Sequence, residues 1–109
     1  MPVAHKSYPK TSGFRLGIYV CKDAEIVDFA APHGVFSVAR RFDAELDAFL
    51  VAETLRPVQA QAGFTVLPNY GFTDAPDMDA FLIPGGFGLR QEINNGKLHA
   101  FIRALPERT

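Results

Sequence analysis

The sequence predicts an α/β domain with a doubly wound, mostly parallel sheet. Short apolar segments rich in β-branched and aromatic residues alternate with segments whose apolar residues recur at helical spacing. A glycine-rich turn at 84–88 joins the last apolar segment to a further helical one. Because helices connect the principal strands, we expect those strands to run parallel, with helices covering the sheet.

The first three elements form one strand, helix and strand unit. Phe14 to Val20 is predicted to be a buried strand after a polar tail. Glu25 to Arg40 has helical periodicity, and Pro32 within it requires a kink or an early-turn position. Leu46 to Ala52 is mostly apolar, as expected for a strand covered on both faces.

The later segments complete the pattern. Val58 to Gln61 and Phe64 to Leu67 are too close for a crossover helix, which predicts a small antiparallel excursion. Ala80 to Ile83 is predicted to be another buried strand. Leu89 to Leu105 is predicted to be a helix that Asn94-Asn95-Gly96 breaks, with Asn95 capping its second part.

Composition excludes several classes of function. The 109 residues are 48% hydrophobic and 21% charged with a net charge of -1, which indicates one globular domain or part of one. The dispersed Lys and Arg residues argue against nucleic-acid binding. No apolar run approaches the roughly 20 residues that span a bilayer, which argues against a membrane protein.

The amino terminus and the cysteine content suggest a location. Residues 1–13 are polar and lack an apolar signal-peptide core, so we expect a flexible leader on a cytoplasmic protein. Cys21 is the single cysteine of the 109 residues, which excludes an internal disulfide and agrees with a reducing compartment.

Three candidate features are predicted to meet at one edge of the sheet. Cys21 follows the first strand, Asp28 lies in the first turn of its helix, and Gly85 to Gly88 follow the later strand. Ligands of doubly wound sheets bind outside the carboxyl ends of the strands. We therefore expect a site at this edge.

The glycine turn has two interpretations. Exposed amides of Pro84-Gly85-Gly86-Phe87-Gly88 could bind an oxyanion or phosphate, or the turn could simply be a tight connection. A dinucleotide fingerprint would require glycine near Gln91, and a phosphate-binding loop would require Gly-Lys-Ser or Gly-Lys-Thr. Neither pattern is present.

The titratable candidates also have alternatives. Asp28 could transfer protons, or could compensate the helix dipole together with Asp23 and Glu25. Lys22 favours a Cys21 thiolate, but a small buried hydrophobic residue is the simpler interpretation. His5 lies in the polar tail, and His33 and His99 have no acidic or cysteine companions at metal-ligand spacing, so no metal site is expected.

Two segments carry a resemblance to a known family. Glu25-Ile26-Val27-Asp28-Phe29-Ala30-Ala31-Pro32-His33-Gly34-Val35-Phe36 resembles the first helix of the ThiJ/PfpI superfamily, close to its isonitrile hydratase branch. Ala30-Ala31 replaces the more usual Thr-Gly or Ala-Gly. Ala80-Phe81-Leu82-Ile83-Pro84-Gly85-Gly86-Phe87-Gly88 resembles the segment that contributes backbone donors to the oxyanion site.

The resemblance implies a flavodoxin-like three-layer sandwich with a nucleophilic cysteine on a sharp elbow. Asp28 matches the acid that assists cysteine-dependent hydration of an isonitrile to an N-substituted formamide, and Gly85 and Gly86 match the donor turn. The implied enzyme needs no cofactor, acts on a small molecule and forms a homodimer. The elbow would follow Leu105, so residues 14–109 are expected to be the amino-terminal part of the domain, requiring the remaining half to fold.

Two other functions share this scaffold. The resemblance extends to noncatalytic small-molecule-sensing modules of transcription regulators related to the arabinose-operon activator. It also extends to stress-linked, chaperone-like proteins, because a fold does not determine a function.

Overall fold

The computed structural model describes residues 13–105, so nearly all of the predicted leader lies outside the described residues. The elements follow the predicted alternation of strands and helices. In chain order they are β1 (Phe14–Tyr19), α1 (Ile26–Ala39), β2 (Leu46–Val51), β3 (Val58–Gln59), β4 (Thr65–Val66), β5 (Ala80–Leu82), α2 (Phe87–Glu92) and α3 (Gly96–Ala104).

The principal sheet has three parallel strands in the order β2, β1, β5. Leu16 of the central strand is in register with Ala48 of β2 and with Ala80 of β5. Its carboxyl-terminal half is fully buried, with Ile18 and Tyr19 at most 1% exposed. This arrangement confirms the predicted α/β class with a parallel sheet.

Helices cover both faces of this sheet. Phe14 of β1 packs its ring 6.2 Å from that of Phe36 in α1. Phe81, in register with Gly17 and hence on the opposite face, packs its ring 5.3 Å from that of Phe101 in α3. The described residues therefore form three layers, with α1 and α3 on opposite sides.

The prediction of a buried strand at Ala80 to Ile83 is only partly correct. Ala80–Leu82 is half-buried, and Ile83 is 37% exposed and lies beyond the strand. The physical reason is that β5 pairs with β1 on one edge only, within the part of the chain that the structure describes.

The first helix is apolar on more than one side. Pro32 is its seventh residue rather than part of its first turn, and the helical assignment continues across it. Phe29 is buried against the sheet, whereas Val27 and Val35 are 60% and 66% exposed. The outer face of α1 is therefore an apolar surface.

The predicted antiparallel excursion is confirmed. In β3 and β4, Val58 pairs with Val66, and a single turn of 3₁₀ helix at Gln61–Gly63 connects the two strands. This hairpin also holds the loop after β1. Asp23 N donates to Gln59 O over 2.8 Å, and Gln61 N donates to Ala24 O over 3.0 Å.

The helix predicted from Leu89 to Leu105 is divided where expected. Asn95 Oδ1 accepts hydrogen bonds from the backbone N–H groups of Lys97 and Leu98, at 3.0 and 3.3 Å, and so caps α3. The first part begins at Phe87, two residues earlier than predicted. Among residues 13–105, no helix is long and apolar enough to cross a membrane.

Candidate active site

The structure brings together two of the residues singled out in the sequence. The backbone N–H of Gly85 donates a hydrogen bond to Oδ2 of Asp28 over 3.0 Å. Asp28 is in the first turn of α1, and Gly85 follows β5, so the contact lies at the carboxyl ends of the strands. The half-buried carboxylate is thereby held against the glycine turn.

The turn after Gly85 requires glycine for two reasons. Gly86 has φ 101° and ψ -177°, a conformation that L side chains rarely adopt. A Cβ atom at Gly88 would lie 2.2 Å from the carbonyl oxygen of Lys22 and 2.9 Å from the carbonyl carbon of Asp23. The glycines therefore let the start of α2 rest directly on the loop after β1.

That loop adopts an uncommon backbone conformation. Asp23 has φ 64°, in the left-handed region that residues other than glycine occupy infrequently. The hairpin stabilises this conformation, because Gln61 Nε2 also donates to Asp23 O over 3.0 Å. The loop is thus fixed between the hairpin on one side and Gly88 on the other.

Pro32 affects the backbone of the same acid. A helical residue normally donates its N–H to the carbonyl four positions earlier, which here is Asp28. Proline has no N–H, so the Asp28 carbonyl lacks this intrahelical partner. Pro32 therefore leaves the Asp28 carbonyl without its helical donor, and Gly85 binds the Asp28 side chain.

Cys21 is buried and does not have the surroundings of a nucleophile. It is 6% exposed and a free thiol. Burial, followed by the negative charges of Glu92 and Asp23, raises the pKa of the Cys21 thiol to about 11. The thiol is therefore protonated near neutral pH, in agreement with its interpretation as a small hydrophobic residue.

Sequence reasoning missed a polar network beside Cys21. Tyr19 donates its hydroxyl to Glu92 Oε1 over 2.5 Å, and Asn95 Nδ2 donates to the same oxygen over 2.8 Å. Asn95 Nδ2 also lies 3.2 Å from Glu53 Oε1. Burial and the bond to Glu92 raise the pKa of Tyr19 far above its usual value. The only sequence signal was the capping role of Asn95.

The described histidines lie outside this site. His99 places Nε2 2.6 Å from Ile93 O, and His33 lines a separate cleft beside the end of α1. Within residues 13–105, no group of His, Cys, Asp and Glu side chains has the arrangement of a metal site. His5 lies outside the described residues.

Comparison with known proteins finds the same fold. Neither a protein-family model nor a curated protein sequence matches this chain. A ThiJ/PfpI family protein from Pseudomonas syringae is 23% identical, with a TM-score of 0.75, over 100% of this chain and 46% of its own. A DJ-1 superfamily protein from Agrobacterium tumefaciens is 21% identical, with a TM-score of 0.58, over 83% of this chain and 48% of its own.

A third similar structure is an AraC family transcriptional regulator from Pseudomonas putida. It is 14% identical, with a TM-score of 0.57, over 81% of this chain and 61% of its own.

The chain spans about half the length of the ThiJ/PfpI and DJ-1 structures. Its structural neighbours thus include DJ-1 and ThiJ/PfpI proteins as well as a transcriptional regulator, and it shares the flavodoxin-like α/β fold of the first two.

Proposed function

We propose that this chain supplies the acid and the donor turn of a cysteine-dependent ThiJ/PfpI-like enzyme. The observation that carries the proposal is the 3.0 Å hydrogen bond from Gly85 N–H to Asp28 Oδ2. It joins the two segments whose sequences resemble the superfamily, although 57 positions separate them in the chain. The nucleophile belongs to a part of the protein other than Cys21.

We propose different roles for the two glycines. The N–H of Gly85 is occupied by Asp28, so it orients the carboxylate. Gly86 is exposed, and its N–H has no hydrogen-bond partner within residues 13–105. In this proposal Gly86 donates to the negative charge that develops on the substrate, whereas Gly85 positions the acid.

More specifically, we propose that this enzyme is an isonitrile hydratase. Hydration of R–N≡C to R–NH–CHO adds oxygen and one proton to carbon and one proton to nitrogen. These transfers require a group that can accept and return a proton, and Asp28 has a carboxylate oxygen, Oδ1, that Gly85 does not bind. The substrate is a small molecule, and no cofactor is required.

Asp28→Asn tests this proposal in the protein expressed from its complete reading frame. The amide oxygen can still accept from Gly85 N–H, but the side chain cannot exchange a proton. We expect kcat for formamide production from an alkyl isonitrile to fall by about 10²–10⁴-fold, with little change in the unfolding midpoint.

Glu25→Gln is the matched control. It removes one negative charge at the same end of α1, where Glu25 occupies the N-cap position without a side-chain cap bond. If Asp28 acts only on the helix dipole, the two variants will differ little in stability and neither will lose turnover. That result would remove Asp28 from the mechanism. A wild-type protein without isonitrile turnover would reject the hydratase assignment.

The proposal also covers the rest of the sheet and the oligomeric state of the protein. The similar DJ-1 and ThiJ/PfpI structures are about twice as long as this chain, and β5 pairs on one edge only in the described residues. We propose that further chain extends the sheet beyond β5 and that the protein is a homodimer. Sedimentation of the protein expressed from its complete reading frame tests the dimer.

The second candidate is a small-molecule-sensing module of a transcription regulator. It is favoured by the structural similarity to the AraC family regulator. In that case, Asp28→Asn would leave ligand binding intact, and the protein would have no turnover to lose. A cysteine-labelling experiment that finds no reactive thiol in the protein would support this alternative.

A further inference from the structure

A second cleft opens at the carboxyl ends of β1 and β2, apart from the Asp28 and Gly85 pair. Its volume is about 560 Å³, which is within the range of small-molecule sites. The segments that line it are the end of β1, the loop after β2, the start of β3 and the end of α2. Ligands of doubly wound sheets bind at this end of the strands.

The acidic side chains of this cleft already have partners. Glu53 accepts Asn95 Nδ2 on one carboxylate oxygen and pairs with Lys97 Nζ on the other, at 3.4 Å. Glu92 Oε1 accepts from both Tyr19 and Asn95. A bound cation would have to compete with these contacts, so the cleft is poorly suited to a cationic ligand.

The basic side chains that line the cleft, unlike the acidic ones, have no partners within the described residues. Lys22 and Arg56 both line it and are exposed, and neither side chain has an ion pair or a hydrogen bond within the described residues. Two cations and two acids line the cleft, and one of the acids, Glu53, pairs with Lys97, which lies outside the lining. Lys22 and Arg56 are therefore the charged groups of the lining that remain available to a ligand.

The cleft also offers neutral hydrogen-bond donors. The Thr54 hydroxyl oxygen accepts from Arg56 N over 3.3 Å, which leaves its proton available to a ligand. The Gln59 side-chain amide lines the same cleft. A guanidinium, an ammonium, a hydroxyl and an amide are the groups that proteins use for carboxylates and phosphates.

We propose that this cleft binds a small molecule through a carboxylate or phosphate group that Lys22 and Arg56 contact. The inference does not depend on the proposed enzyme, because none of its groups is Asp28, Gly85 or Gly86. In this proposal the rest of the ligand occupies the part of the cleft that Val20, Cys21 and Ala52 line.

Binding of inorganic phosphate and, separately, of succinate tests the proposal. Each probe is titrated into the protein expressed from its complete reading frame, at low ionic strength, while backbone amide shifts are followed by NMR. We expect saturable shifts at Thr54 and Gln59 with at least one probe. The response to phosphate alone, succinate alone or both identifies the anionic group that the cleft accepts.

Lys22→Gln and Arg56→Gln are the diagnostic variants, and Arg41→Gln is the control. Arg41 is an exposed cation that lines a different cleft beside α1, so its loss changes net charge equally. We expect each diagnostic variant to weaken binding by about tenfold or more and the control to bind as wild type. No saturable binding of either probe, or equal weakening by all three substitutions, would overturn the proposal.

Discussion

The hydroxyl of Tyr19, at the end of β1, donates a hydrogen bond to Oε1 of Glu92, at the end of α2, over 2.5 Å. Tyr19 is only 1% exposed, and its ring packs against Phe72 and Phe81. The central strand is therefore bonded directly to the junction between α2 and α3.

Tyr19→Phe should destabilise the fold by about 1–3 kcal/mol, because it removes a hydrogen bond to a carboxylate while retaining the ring packing. Urea unfolding measures the change. Tyr70→Phe is the matched control, since Tyr70 packs edge-on against Phe49 and its hydroxyl has no hydrogen bond within residues 13–105. Equal effects of the two substitutions would show that the Glu92 contact adds no stability.

Gly88→Ala and Gly34→Ala should change stability in opposite directions. The Cβ atom at Gly88 would meet the Lys22 carbonyl, so we expect a loss of about 1–3 kcal/mol or more. Gly34 is inside α1, and among residues 13–105 its added Cβ would meet no atom within 4 Å beyond its own helix backbone and chain neighbours, so alanine should stabilise by about 0.5–1 kcal/mol. Thermal unfolding compares the two, and a neutral Gly88→Ala would show that the loop can move away.

Asn95 has two functions that two substitutions can separate. Asn95→Ala removes the α3 cap and the amide donor, and should cost about 0.5–2 kcal/mol. Asn95→Asp retains a cap but places a carboxylate beside Glu92 and Glu53. We expect it to destabilise the fold at neutral pH, because an acidic side chain replaces the amide that donates to Glu92 and Glu53. Full stability of Asn95→Asp at neutral pH would show that the cap alone matters.

Cys21 should react slowly with iodoacetamide in the folded protein. With a pKa of about 11 it contains roughly a hundredfold less thiolate at pH 7 than a thiol of pKa 9, and burial slows access further. The rate should rise with pH towards that value, because deprotonation creates the nucleophile. Peptide mass spectrometry measures labelling at Cys21, with urea-unfolded protein as the control. Rapid native labelling would identify Cys21 as reactive.

Local signals in the sequence predicted most of the fold. Asn95 was identifiable as a cap from its own neighbours, and the short spacing around Gly63 indicated the hairpin. The half-buried state of Ala80–Leu82 was not predictable, because an apolar segment does not reveal how many of its edges are paired.

The candidate site was predictable only to the level of the sheet edge. Strand order placed Asp28 and the glycine turn at the same end, but not the hydrogen bond that joins Gly85 to the carboxylate. The Tyr19 and Glu92 contact spans 73 positions, and neither residue belongs to a local motif. Such pairs depend on tertiary packing, which a single sequence does not display.

The hairpin has no hydrogen bond to Asp28 within residues 13–105, yet it holds the loop against which the glycine turn packs. Gln59 and Gln61 form hydrogen bonds to the loop at Lys22–Glu25. Gly86 and Gly88 pack closely against the same loop. A single loop therefore separates the hairpin from the glycine turn. If Asp28 has the proposed catalytic role, substitutions in the hairpin offer a way to alter the surroundings of its carboxylate without changing Asp28, Gly85 or Gly86.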